Sequence, residues 1–219
     1  MKIATWNVER LKHKNKLEWI LCYCQAARAD ILVLTETDSR LHLDYPYRVE
    51  TEKAKLSMPY LYTDTEIRTA IYTEYKINNT FDTYDKYTAV CVEPETGRGP
   101  LIVYGTIMGI FGNKDEIYIP DLKKQMQDIM KLSRKGYICV IGDYNCSFSD
   151  SYYFTHESRD MIESTFYDAG ISILTREQPE CVDHIAISDN FTEGMTVSVT
   201  EWNRDKKLSD HKGICAELL

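Results

Sequence analysis

The stretch Tyr137–Asn145, YICVIGDYN, decides how the rest of this chain is read. Its first segment, Tyr137–Ile141, is an unbroken apolar run, the pattern of a strand covered on both faces. The run ends in Gly142, Asp143, Tyr144 and Asn145. Glycine lets a strand end turn sharply and lets a ligand approach the backbone. Asp143 and Asn145 alternate with Tyr144, so an extended segment places them on one face, about 7 Å apart. An acid and an amide held this way can orient an attacking water and a phosphate oxygen. Taken alone, Gly-Asp reads equally well as a plain turn.

Four more patches end in groups that bind a divalent metal or a phosphate: Thr5–Asn7 (TWN), Thr35–Thr37 (TET), Val182–His184 (VDH) and Ser209–His211 (SDH). Four of the five close an apolar, strand-like run, and the last sits just before one. Strand ends can hold carboxylates, amides and an imidazole around one point. Like-charged acids do not converge for stability; a cation or a proton-transfer task justifies their closeness. Asn7 alone is most simply a turn residue. Glu36, just past Ile31–Leu34, suits a hard cation, which takes oxygen ligands and often only one or two carboxylates. Asp183 and the Asp210–His211 pair complete the set. An Asp bonded to one imidazole nitrogen fixes the tautomer and raises the basicity of the other.

The bulk numbers set limits. The 219 residues, 43% apolar and 27% charged, suit one soluble domain over residues 1–219 with a sizeable core. No stretch approaches a membrane span, and Met1–Trp6 reads as a strand rather than a signal segment. The seven cysteines are an odd count, mostly inside apolar runs, which favours reduced thiols in a cytoplasmic protein. A net charge of −8 argues against a broad basic face for nucleic acid. The local tract Arg10, Lys12, Lys14 and Lys16 reads first as a solvated loop and helix start. Cys22 and Cys24 are too close for a zinc or redox pair, and HESRD from His156 is not a zinc-protease motif.

Periodicity predicts strands over Lys2–Trp6, Ile31–Thr35, Ile67–Tyr72, Tyr87–Val92, Leu101–Ile107, Tyr137–Ile141, Cys181–Ser188, Met195–Thr200 and Gly213–Leu218, with a hairpin-like link over Glu93–Pro100. It predicts helices over Lys16–Arg28, from Pro120 to near Gly136, and over Thr155–Ala169 with Gly170 as a stop. Eight or nine strands and three helices are too strand-rich for βαβ alternation. They predict an α+β fold, a four-layer αββα sandwich of two mixed or mostly antiparallel sheets with flanking helices.

The ordered set Trp6-Asn7, Glu36-Thr37, Gly142-Asp143-Tyr144-Asn145, Asp183 and Ser209-Asp210-His211 resembles the endonuclease/exonuclease/phosphatase superfamily, the deoxyribonuclease I-like fold. The resemblance runs essentially end to end. It implies the same αββα sandwich and Mg²⁺- or Mn²⁺-dependent cleavage of phosphate esters. It implies Glu36 as the main metal ligand, helped by Asn7 and Asp210. Asp143 and Asn145 would orient water and phosphate, and His211 with Asp183 would stabilise the transition state. Glu9 falls where apurinic endonucleases often carry an Asp, which makes it a further candidate to reach the metal. Two departures stand out. Many members carry Thr-His or Tyr at the end of the strand corresponding to Leu101–Ile107, where this chain has Gly105-Thr106-Ile107 after Tyr104. The tract Ile171–Glu180 is polar where apurinic endonucleases are aromatic. The expected partner is a phosphate-ester substrate, DNA or RNA first, with the chain monomeric and away from membranes. The alternatives are a small-molecule phosphatase or phosphodiesterase, and an inactive binding module.

Overall fold

The structure, a computed structural model, describes residues 1–53, 63–109 and 116–219. The chain runs β1 (Lys2–Asn7), α1 (Leu17–Ala26), β2 (Ile31–Asp38), β3 (Tyr47–Glu50), β4 (Glu66–Thr73), β5 (Ile77–Phe81), β6 (Ala89–Thr96), β7 (Gly99–Pro100) and β8 (Ile102–Ile107). It continues through α2 (Tyr118–Ser133), β9 (Ile138–Asp143), α3 (His156–Ala169), β10 (Ile171–Ile173), β11 (Asp183–Ser188), α4 (Asp189–Thr192), β12 (Val197–Trp202) and β13 (Gly213–Leu218). The first sheet has the order β12-β13-β1-β2-β4-β3 and the second β10-β11-β9-β8-β6-β5, with β7 paired to β6.

Three apolar clusters explain why these strands stack as four layers. In β2 and β9 both faces are apolar, so alternate residues feed different layers. Ile31 and Val33 meet Cys139 and Ile141 between the sheets. Leu32 and Leu34 face the other way, against Ile20 and Cys24 of α1. Ile138 and Val140 pack beneath Leu122, Met126 and Ile129 of α2 and Ile162 and Phe166 of α3. The result is the αββα sandwich. All seven cysteines are free, and six are buried. No described helix is long and apolar enough to cross a membrane.

The strand count is corrected upward, to thirteen among the described residues. Three of the unpredicted strands, β3, β5 and β10, are sheet edges or lie at them. An edge strand buries little: YRVE alternates over only four residues, and INNTF has apolar residues only at its ends. The Glu93–Pro100 link is partly strand: β6 runs to Thr96, and β7 folds back on it. The third helix is closed at both ends as its sequence suggests. Thr155 caps it in a reciprocal box with Ser158, and Gly170 takes the left-handed conformation after it. The VDH patch opens a strand rather than closing one, because β11 begins at Asp183.

Strand polarity positions the candidate site. β1 and β2 are parallel, as are β8 and β9, so each pair ends on the same side. β11 runs antiparallel to β9, and β13 antiparallel to β1, so those two strands start where the others stop. The ends of β1, β2 and β9 and the starts of β11 and β13 therefore share one rim of the sandwich.

Candidate active site

Two hydrogen bonds at this rim cross from one sheet to the other. Asn7, closing β1, donates its amide Nδ2 to Asp143 Oδ2 at 3.1 Å, at the end of β9. His211, in the loop before β13, sets Nδ1 2.6 Å from Asp183 Oδ2, at the start of β11. Asp143 and Asp183 are cross-strand partners, so both acids face the same gap. Gly142 makes the approach possible. Its φ is +135°, and a Cβ there would fall 2.0 Å from the Thr106 carbonyl oxygen of β8.

The loop carrying Ser209–His211 is held by β1 and by the amide of Asn203, a few residues before it. Ser209 Oγ donates to the Asn7 carbonyl at 2.6 Å and accepts from the His211 N–H at 3.1 Å. Trp6 Nε1 donates to the His211 carbonyl at 3.0 Å. Asn203, buried beyond the end of β12, donates Nδ2 to the carbonyls of Ser209 and His211 at 2.8 and 2.7 Å. Its Oδ1 accepts from the Leu208 N–H at 3.0 Å. The sequence reading missed Asn203. Its signal is weak: one Asn after a strand, at φ +52°, a conformation Asn tolerates better than most residues.

Burial drives the electrostatics. It raises the Asp143 carboxyl; His211 opposes that rise, while Asp183 and Glu36 add to it. Burial alone would lower the His211 imidazole, but the fields of Asp183 and Asp143 outweigh it and raise its pKa. The 2.6 Å contact is then a charge-assisted bond from an imidazolium to a carboxylate. Asp183 Oδ1 is buried without a hydrogen-bond partner among the described residues. Glu36 stands half-exposed, with its backbone in the left-handed region at φ +44°. Thr35 pairs with Thr69 and Thr37 with Ile67, so Glu36 lies level with Arg68 of β4. Burial lowers the Arg68 guanidinium, and the Glu36 charge opposes that.

The expected site residues divide into those that converge and those engaged elsewhere. Asn7, Asp143, Asp183 and His211 converge, with Glu36 within their electrostatic reach. Asp210 turns outward: its side chain is two-thirds exposed, and Oδ1 lies 3.7 Å from His211 Nε2. Asn145 does not share an extended face with Asp143. Its φ is +49°, and its N–H folds back to Asp143 Oδ1 at 2.8 Å. Its amide donates to the carbonyls of Met108 and Gly109 at 3.1 and 3.0 Å. Asn145 therefore shapes the turn under Asp143 and anchors the segment after β8, and both of its amide hydrogens are engaged there. The Asn7 Oδ1 also has a protein partner, the Glu9 N–H at 2.9 Å. Glu9 is tied to Lys12 at 2.9 Å and accepts from the Asp210 N–H at 3.2 Å. Tyr104 and Thr106 lie on the α2 side of their sheet, Tyr104 in the helix-facing core and Thr106 bonded to Gln125 at 2.7 Å.

The donor set fits a hard divalent cation. Among the described residues no three His, Cys, Asp or Glu groups converge to grip a metal on their own. Mg²⁺ does not require that, since it keeps several waters and takes one or two carboxylates. Glu36 supplies an accessible carboxylate beside two buried acids whose mutual repulsion a cation relieves.

No protein-family model matches this sequence, and no curated protein matches it. Solved structures do. An endonuclease/exonuclease/phosphatase from Beutenbergia cavernae superposes with a TM-score of 0.75 at 14% identity, over 100% of this chain and 71% of that one. The 3′ phosphatase NExo from Neisseria, bound to a product DNA hairpin, gives 0.71 at 17% identity, over 100% and 99% of the two chains. An AP endonuclease from Archaeoglobus fulgidus gives 0.71 at 14% identity, again over 100% and 99%. This chain thus has the deoxyribonuclease I-like fold of the endonuclease/exonuclease/phosphatase proteins.

Proposed function

We propose that this chain is a Mg²⁺- or Mn²⁺-dependent phosphoric ester hydrolase of one domain, acting on nucleic acid as a nuclease or phosphodiesterase. The Asp183–His211 contact at 2.6 Å, set against Asp143, carries the reading. A buried acid that holds an imidazole beside a second buried acid has little structural justification, and hydrolysis at phosphorus gives each group a task.

The Asp143 carboxyl, raised by burial, takes a proton from the attacking water. Asn7 and the Asn145 N–H fix its two oxygens. The water oxygen bonds to phosphorus as the bond to the leaving oxygen breaks. His211, kept charged by Asp183, donates to a phosphoryl oxygen as its charge grows. Glu36, with Asn7 beside it, would hold the metal; Asp210, turned outward, would not reach it as it stands. When bound, the ion neutralises phosphoryl charge and assists the leaving oxygen. Arg68 and Lys12 add positive charge beside Glu36.

The net charge of −8 favours a second reading, a small phosphorylated metabolite as substrate. An assay panel with Mg²⁺ or Mn²⁺ separates the two. It includes plasmid DNA, single-stranded DNA, RNA, bis-p-nitrophenyl phosphate and inositol phosphates. Cleavage of a nucleic acid that Asp143→Asn abolishes is the expected result. Turnover of inositol phosphates alone would move the assignment to the second reading, and no turnover of any substrate would reject both.

A further inference from the structure

The outer helical layer carries a groove that the proposed hydrolysis does not use. Between α2 and α3 lies a cleft of about 450 Å³. Its floor is thioether: Met126 is 4% exposed, and Met130 and Met161 are half-buried. Lys123, Lys131 and Arg134 line its α2 wall. All three are exposed, and among the described residues none makes an ion pair. The acids of α2 and α3 do not neutralise them at contact distance: Glu163 pairs with Arg176 at 2.5 Å, and Asp128 accepts from the Tyr84 N–H. Residues 123, 126, 130 and 134 follow one another at three- and four-residue steps, forming one stripe along three turns. The stripe is about 16 Å long at the rise of an α-helix.

In a chain of net charge −8, three cations without ion pairs stand along one wall of an apolar floor. We infer that this groove docks a short acidic amphipathic segment of a partner protein. Apolar side chains of the segment lie on Met126, Met130 and Met161, whose flexible thioethers adapt to varied shapes. Its carboxylates meet Lys123, Lys131 and Arg134. The length suits a helix presenting anchors at i, i+3/i+4 and i+7.

The test uses a displayed library of random 16-residue peptides selected on the intact protein. A parallel selection uses the triple variant Lys123→Glu, Lys131→Glu, Arg134→Glu, whose exposed substitutions leave the core untouched. Peptides enriched on the native protein should combine acids with apolar residues at helical spacing. A labelled copy of one should bind the triple variant at least tenfold more weakly by fluorescence anisotropy, and a Met130→Lys variant should weaken it similarly. Circular dichroism confirms that both variants are folded. Enrichment of neutral or basic peptides, or equal binding to native and variant proteins, would overturn the inference. Binding of the native protein to vesicles of 30% anionic lipid, lost in the triple variant and with no acidic peptide selected, would also overturn it.

Discussion

Two histidines lie near the start of the same short strand and meet opposite fates. His184 lies inside β11, wholly buried, with Nδ1 2.9 Å from Thr175 Oγ1 and Nε2 3.0 Å from the Cys146 carbonyl. Its ring contacts are Tyr144 and Phe148. Burial pushes its pKa down to about 4, so it stays neutral and serves the core. His211 faces two carboxylates across the gap between the sheets, and its pKa rises. The difference lies in what surrounds each ring: neutral dipoles keep a histidine structural, whereas buried acids make it a proton donor.

The largest effect is expected where that contrast is tested at the rim. His211→Ala or Asp143→Asn should lower phosphodiester turnover about 10²–10³-fold while the protein still melts cooperatively. Undiminished activity in both variants would remove the proposed roles. Acid titration should show the other histidine. An unfolded chain protonates His184 near pH 6.5, but the native state resists until about pH 4. Stability present above pH 6.5 is therefore lost as pH falls through that window, by up to about 3 kcal/mol. His211 acts on the other limb: its raised pKa adds stability below pH 6.5 that is lost as pH climbs through the folded value. Denaturant curves at several pH values should show His184→Ala flattening the acid limb only. A His184→Ala protein with an unchanged acid limb would collapse the comparison.

Asp183→Asn should cost about 10–100-fold in turnover, because it removes the partner that orients and charges His211. Its pH–rate profile should lose the His211 limb at lower pH than the native protein does. The smallest expected change is Asn203→Ala, which leaves the Ser209 and His211 carbonyls short of a donor. It should destabilise by about 1–3 kcal/mol, with kcat falling more than KM rises. A loss of stability with unchanged kcat per folded molecule would assign Asn203 to the scaffold alone.

These contrasts also show what local sequence can and cannot reveal. Interior strands were legible because both of their faces are apolar, as in β2 and β9. Of the edge strands, β12 was legible, whereas β3, β5 and β10, short and burying little, were not. The patches Thr5–Asn7, Gly142–Asn145 and Ser209–His211 were legible as chemistry, and the structure brings residues of all three to one rim. Which histidine of the set is structural was not legible, because it depends on the burial supplied by Tyr144, Phe148 and Thr175. The turn at Asn145 had a readable sign, since Asn and Asp near glycine fold back on their own backbone. The clamp from Asn203 had only a weak one, because its partners are defined only once a loop closes.

Asn7 and His211 belong to one layer of strands, and Asp143 and Asp183 belong to the other. The proposed chemistry is therefore stitched across a seam, and its alignment is set by the packing of the isoleucines and valines beneath it. A substitution deep in that packing, such as Val33→Phe, would act as a wedge. It would separate proton acceptor from proton donor without touching either, and catalysis would fail before the protein came apart.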